Sequence, residues 1–132
     1  MSREIKFRYL YKDGIHKSNK VKTIILTLED IESGKAKELH TILCREQYTG
    51  LKDKNKEEIY EGDIVQIDDV LGKIITTYIY YSLGAFRYRH DDGSGSVLDM
   101  ITTSKVKGYE SVTKDIEVVG NIYENSELLE NN

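Results

Sequence analysis

Proline and tryptophan are absent from this sequence, cysteine occurs once, and no long apolar run is present. Each shortage removes a class of protein. Average usage of about 5% would supply roughly six prolines, so reversals of the chain must be made by Gly, Asn and Asp instead. Cys44 alone cannot close an intrachain disulfide or build a structural zinc site. Flanked by apolar residues in "HTILCR", it reads as a small hydrophobe in a strand. Nothing approaches the roughly 18 apolar residues that span a bilayer, and the opening "MSREIKFRYL" lacks the layout of a secretory signal. The expectation is a cytoplasmic protein with no membrane association. At 132 residues, 39% hydrophobic and 32% charged, the chain is one domain's worth of soluble protein with enough length to bury a core.

The net charge of −4 hides an asymmetry: residues 1–60 carry 13 Lys/Arg against 10 Asp/Glu, whereas residues 61–132 carry 6 against 13. A basic end and an acidic end suit head-to-tail self-association, or an anionic partner at the N-terminal part. An acidic total disfavours nucleic acid, because phosphate contacts supply most non-specific affinity.

Between the glycines lie short alternating segments. "EIKFRYLY" sets Ile5, Phe7, Tyr9 and Tyr11 on one face and Lys6, Arg8 and Leu10 on the other, the period of a half-buried strand. Asp13-Gly14 then offers a hairpin turn. "VKTIILTL", "HTILC", "DIVQID", "GKIITTYIYY", "AFRYRH" and "DIEVVGNIY" supply further strands. Tightly turned strands about ten residues apart predict a small barrel or roll. "LEDIESGKAKELH" holds at most a helical turn or two. "HDDGSGSV" reads as a mobile loop, and the acidic tail "ENSELLENN" as frayed at its last few residues.

Two stretches invite a chemical reading. In "QYTGLKDKNKEEIYEGDIV" (residues 47–65) the oxygens of Asp53, Asn55 and Glu57 superficially resemble a calcium loop. The central glycine is missing, and Ile64 stands where a bidentate glutamate is required. The simpler expectation is a turn built by Asp53 and Asn55, with Ile59 and Tyr60 returning to the core and Gly62-Asp63 bending into the next strand. "HDDGSG" gathers His90, Asp91 and Asp92 near Ser94 and Ser96, a set suited to a metal or to a base beside a nucleophile. A small hydrolase there requires His90, Asp91 and Asp92 to converge, and neighbours on a strand point to opposite faces. Phosphate-binding, dinucleotide, zinc-protease and nucleophile-elbow motifs are all lacking. No catalytic, metal or cofactor-binding residue is assigned.

Tyrosine is the conspicuous excess, with ten against two phenylalanines. Tyr78, Tyr80, Tyr81 and Tyr88 fall on adjacent predicted strands, interleaved with Arg87 and Arg89. Such residues form subunit interfaces, serve ordinary packing of the barrel, or stack the bases of single strands.

Three blocks, "REIKFR", "QYTGLKDKNKEEIYEGDIV" and "IEVVGNIYENSELL", occur in an order by which the chain resembles the YopX family of small proteins encoded by phages and prophages of mainly Gram-positive bacteria. The resemblance implies a mostly β protein with an SH3-type barrel in its C-terminal part, a phage setting and a bacterial cytoplasm. It carries no activity and no catalytic residues. One departure stands out: the family usually has glycine at the position of Lys56. A lysine there must take a left-handed conformation or change the turn type.

These readings combine into a mainly β protein with little helix. Residues 1–56 form an N-terminal β subdomain and residues 57–132 an SH3-like barrel, together one compact unit. The expected function is that of a non-catalytic phage accessory protein acting through protein contacts, as a homo-oligomer or with a phage or host protein. Tyr78, Tyr80, Arg87, Tyr88 and Arg89 are the candidate contact residues. The alternative is a nucleic-acid-binding module using Arg3, Lys6 and Arg8 together with Arg87 and Arg89, its binding weakening steeply with salt.

Overall fold

The computed structural model describes residues 4–12, 20–68, 73–90, 92–98 and 115–130. It is mainly β, with nine strands and two short helices among the described residues. Two compact units divide between Tyr48 and Thr49.

In the first unit, β1 (Lys6–Lys12) lies between β2 (Val21–Thr27) and β3 (Thr41–Lys52), antiparallel to both. The alternation read from the sequence places Tyr9 and Leu10 on opposite faces, yet both are buried. The central strand is therefore covered on both sides at its middle. The predicted Asp13-Gly14 turn lies outside the described residues. Where β2 ends, Thr27 starts α1 (Leu28–Glu32) through a capping box: its hydroxyl accepts from the Asp30 N–H, and the Asp30 carboxylate accepts from the Thr27 N–H. The Thr27 N–H, and then the Lys35 ammonium, hold the Asp30 carboxyl below its ordinary range. A single 3-10 turn (Lys35–Glu38) follows, so the weak helical signal here corresponds to two short pieces broken at Gly34.

β3 continues through Gly50, which sits inside the strand at φ +86 rather than ending it. Its last residues enter the second unit beside β4 (Glu58–Tyr60). There the buried Thr49 hydroxyl donates to the Ile59 carbonyl at 2.7 Å and accepts from the Leu51 N–H.

The second unit also holds β5 (Asp63–Asp68), β6 (Ile74–Ser82), β7 (Ala85–Arg89), β8 (Gly95–Val97) and β9 (Ile116–Asn121), in the antiparallel order β8-β7-β6-β5-β9. Among the described residues no ladder joins β8 to β9. β6 and β7 meet through a two-residue loop in which Leu83 (φ +51) and Gly84 (φ +78) are both left-handed, the conformation that matches strand twist in a tight hairpin. Around "HDDGSGS", expected to be mobile, β7 pairs with β8 in antiparallel register. The His90 N–H donates to the Ser94 carbonyl at 2.8 Å, and β8 follows. Ile59, Val65, Ile79 and Ile116 fill the core together with Phe86 and Tyr88.

The tail contains α2 (Glu127–Glu130); its last two residues lie outside the described residues. Two asparagines hold it. The Asn125 side-chain oxygen accepts from the Asn121 N–H at 3.1 Å, and the Asn125 N–H donates to the Asn121 carbonyl at 2.7 Å. Asn121 in turn accepts at its side-chain oxygen from the Tyr123 N–H at 2.7 Å.

Candidate functional site

The block between Gln47 and Val65 turns out to be a piece of architecture. Asp53 is fully buried, and its carboxylate is consumed by backbone. Oδ1 accepts from the N–H of Asn55 (2.8 Å) and of Glu57 (2.9 Å), while Oδ2 accepts from the Val118 N–H (2.9 Å). One side chain thus closes its own turn and ties that turn to β9. Three of the carboxylate's roughly four acceptor sites are thus taken by backbone N–H groups. Asn55, expected to stabilise the turn locally, instead donates its side-chain amide to Glu117. Asp63, also buried, accepts from the Tyr60 N–H at 2.8 Å. Gly62, left-handed at φ +88, donates to the Ile79 carbonyl and accepts from the Ile122 N–H.

Lys56 takes the left-handed option, at φ +66. A side chain in that region costs roughly 1–2 kcal/mol, partly offset by the greater unfolded-state freedom of glycine. Lys56→Gly is therefore expected to raise the unfolding free energy by roughly 0.5–1 kcal/mol. A urea titration checks this, and a destabilised variant would contradict it.

Of the five candidate contact residues, four share one face of the β6–β7 hairpin. Tyr78 and Tyr80 stand two apart on β6 with ring centroids 5.8 Å apart. Arg87 lies opposite Tyr80 in the ladder. The Arg89 guanidinium sits 5.0 Å from the Tyr80 ring centroid and 6.0 Å from that of Tyr78. Its Nε donates to the Tyr78 hydroxyl at 2.7 Å, and Nη1 donates to the Gly93 carbonyl. The bond to the Tyr78 hydroxyl pushes the guanidinium further above its already high range. Tyr80 reaches across β8 at Gly95, where any side chain would overlap its hydroxyl. Tyr88 is the exception. Alternation turns it inward with Phe86, and it is only 7% exposed, so it belongs to the core and not to this surface.

Beside the face runs a groove of about 540 Å³, lined by Lys73 and the following residues of β6 as far as Tyr78, and closed by Arg89, His90 and Leu129. Nothing in the sequence announced it, because Leu129 arrives from the chain's far end.

The "HDDGSG" cluster is brought together only in part among the described residues. The His90 Nε2 lies 2.5 Å from the Ser96 hydroxyl, across the β7–β8 hairpin. Asp92 instead accepts from the N–H and the hydroxyl of Ser94, bonds that hold its carboxyl below the ordinary range. Asp91 lies outside the described residues. Among the described residues no three His, Cys, Asp or Glu side chains gather as a metal ion would need. The N-terminal cations are also engaged. Arg8 forms a partly buried pair with Glu46, both nitrogens at 2.8 Å from the carboxylate, and Lys6 pairs with Glu4 while lying over the Tyr48 ring. Arg3 lies outside the described residues.

In comparison with known proteins, residues 3–130 match a family model described as YopX protein. Among solved structures, the chain is similar to the crystal structure of protein EF1440 from Enterococcus faecalis. That likeness has a TM-score of 0.53 and 22% sequence identity, and covers 97% of this chain and 99% of the other. At such identity it speaks to the fold alone. No curated protein matches.

Proposed function

The chain belongs to the YopX protein family, and from that premise we propose that it is a phage- or prophage-encoded accessory protein that works by binding rather than by catalysis. The observation carrying this reading is the fate of the polar residues in the family-bearing blocks. Thr49, Asp53 and Asp63 are buried and bonded to backbone groups, and Asn121 shapes the tail. The buried polar side chains of these blocks hold turns and strands together.

The second unit is proposed to serve as an SH3-like binding module in the cytoplasm of a bacterial host. Its contact surface is the face of Tyr78, Tyr80, Arg87 and Arg89, and its first partner is a second copy of the chain. Tyrosine and arginine are the residue types that dominate binding energy at interfaces. The nucleic-acid alternative is weakened by Arg8 and Lys6, whose charges are already matched by Glu46 and Glu4.

Light scattering tests the proposal. The wild type should exceed the 15.2 kDa of one chain, and the double variant Tyr80→Ser, Arg87→Ala should fall to that mass with its circular dichroism unchanged. A wild type monomeric at every concentration, or a variant of undiminished mass, removes self-association from the proposal.

A further inference from the structure

We infer that Leu83, at the tip of the β6–β7 hairpin, is a prong that seats in the groove along residues 73–78 of a second copy, each copy receiving the other's leucine. The inference rests on the self-association reading and deepens it by naming the register and the anchoring residue.

Leu83 carries two penalties at once. It is left-handed at φ +51, a conformation that crowds a side chain and that hairpin loops of this kind usually assign to Asn, Asp or Gly. It is also 88% exposed, more than any other large hydrophobic residue among the described ones. Neither the strain nor the exposed apolar surface helps the hairpin to fold. The tip around it is nonetheless firmly held. The Arg87 Nε donates to the Ser82 carbonyl at 2.9 Å, and Ser82 pairs with Ala85 across the loop. The Tyr81 and Phe86 rings meet edge-on with centroids 5.1 Å apart. No charged residue lies between Ile79 and Phe86. A stiff, uncharged loop tipped with leucine fits an apolar socket, and strain kept at such a place points to a contact that offsets it.

The groove is a socket of that kind. Its polar groups are already engaged: the Arg89 guanidinium by Tyr78 and Gly93, the Arg89 N–H by the Thr77 hydroxyl, and the His90 ring by Ser96. Lys73 and Thr76 have partners of their own. What the lining offers a guest is therefore apolar, with Ile74 61% exposed and Ile75 and Leu129 half-buried.

Its own copy cannot fill it, because the nine positions from Ile74 to Leu83 span roughly 30 Å of strand. A second copy can. Tyr78 and Arg89 belong both to the tyrosine–arginine face and to the groove lining, while Arg87 on the same face braces the prong. Two such faces packed antiparallel about the midpoint of Tyr78 and Tyr80 bring Leu83 of each copy over Ile75 of the other. That is a two-fold, self-complementary contact, the commonest arrangement of identical chains. The arginines do not bar it, since each guanidinium is held on its own copy, Arg87 at the Ser82 carbonyl and Arg89 beside the Tyr78 and Tyr80 rings. A membrane is a poorer host for the prong. One leucine is little apolar surface for anchoring, and a chain of net charge −4 is repelled by anionic lipid.

The test is a double-substitution cycle read by sedimentation equilibrium of the full-length protein. Leu83→Asn removes the prong and supplies Asn-Gly, a preferred pair for this turn. Dimerisation should weaken by about tenfold or more, while the melting temperature holds or rises. Ile74→Lys puts a charge in the socket, at a position opposite Asp68 in the ladder, and should weaken dimerisation by about as much with melting unchanged. The variant carrying both should be weaker than the worse single by less than about threefold, because either substitution alone already empties both contacts. Residues roughly 30 Å apart in one chain are coupled in this way only across two copies. Additive losses, or undiminished dimerisation of Leu83→Asn, would overturn the inference. So would flotation of the wild type with neutral lipid vesicles that Leu83→Asn abolishes, which would assign the prong to a membrane. A wild type monomeric at every concentration would remove the self-association reading and this inference with it. Dimerisation lost in Tyr80→Ser, Arg87→Ala but kept in Leu83→Asn would remove this inference alone.

Discussion

Asp53→Ala is expected to lower the unfolding free energy by about 4 kcal/mol. Three backbone N–H groups, from Asn55, Glu57 and Val118, end on this carboxylate at 2.8–2.9 Å, and the residue is wholly shielded from water. A hydrogen bond to a charged group contributes about 1.5–3 kcal/mol, and stranding its partner in the interior costs a similar amount. Rehydration of the exposed turn recovers part of that loss, hence a value below the simple sum. A protein of this kind is stable by only about 5–15 kcal/mol, so the loss is a large share of the whole. Asp53→Asn sharpens the test. The amide oxygen can keep the two bonds within the turn, but its NH₂ then confronts the Val118 N–H, donor against donor. About half of the alanine effect should remain, with disturbance confined to the link with β9. Urea denaturation measures both variants. An alanine variant within about 1 kcal/mol of the wild type would mean that Asp53 does not organise the fold.

Asp53 also marks where sequence reading stopped. Its turn was legible, because an aspartate two residues before a small polar residue and followed by lysines is a local pattern. Its third bond was not, since Val118 lies 65 positions away. The same divide runs through the strands. β5, β6 and β7 each bury alternate residues of a run long enough to show the period, and they, with β1 and β9, are legible in the sequence. β4 and β8 span three residues apiece, too few for a period, and sit within polar segments that resemble loops. In "AFRYRH" alternation sets Phe86 and Tyr88 against Arg87 and Arg89, yet Tyr88 stands among the candidate contact residues. Which face is interior depends on what Ile59, Val65 and Ile116 bring from other strands, and no local pattern supplies that. The charge of Arg8 misled for a related reason. Its partner Glu46 lies 38 positions on, opposite it in the β1–β3 ladder, so a cation that looked available for phosphate is neutralised within the fold.

Gly120→Ala should cost about 2 kcal/mol and release the tail from the sheet. A Cβ at this position of β9 would stand 2.9 Å from Leu128 Cδ1 and 3.0 Å from both Cβ and Oδ1 of Asn125. The leucine methyl can rotate away. The asparagine cannot, because its Oδ1 accepts from the Asn121 N–H and its N–H donates to the Asn121 carbonyl. Displacing Asn125 therefore undoes the turn that leads into α2, and with it the approach of Leu129 to the groove beside β6. The expected signature has two parts: a lower urea midpoint, and amide shifts at Leu129 and Ile75 without change at Asp53. Strain confined to β9 would give the first part alone. Asn125→Ala separates the two causes, since it removes the acceptor while leaving the space at Gly120 open. If the shared contact is what matters, the two substitutions act on one interaction, and the double variant should be less destabilised than the sum of the singles by more than about 0.5 kcal/mol. Full additivity would show that Gly120 serves the strand alone and that the tail is held by something else.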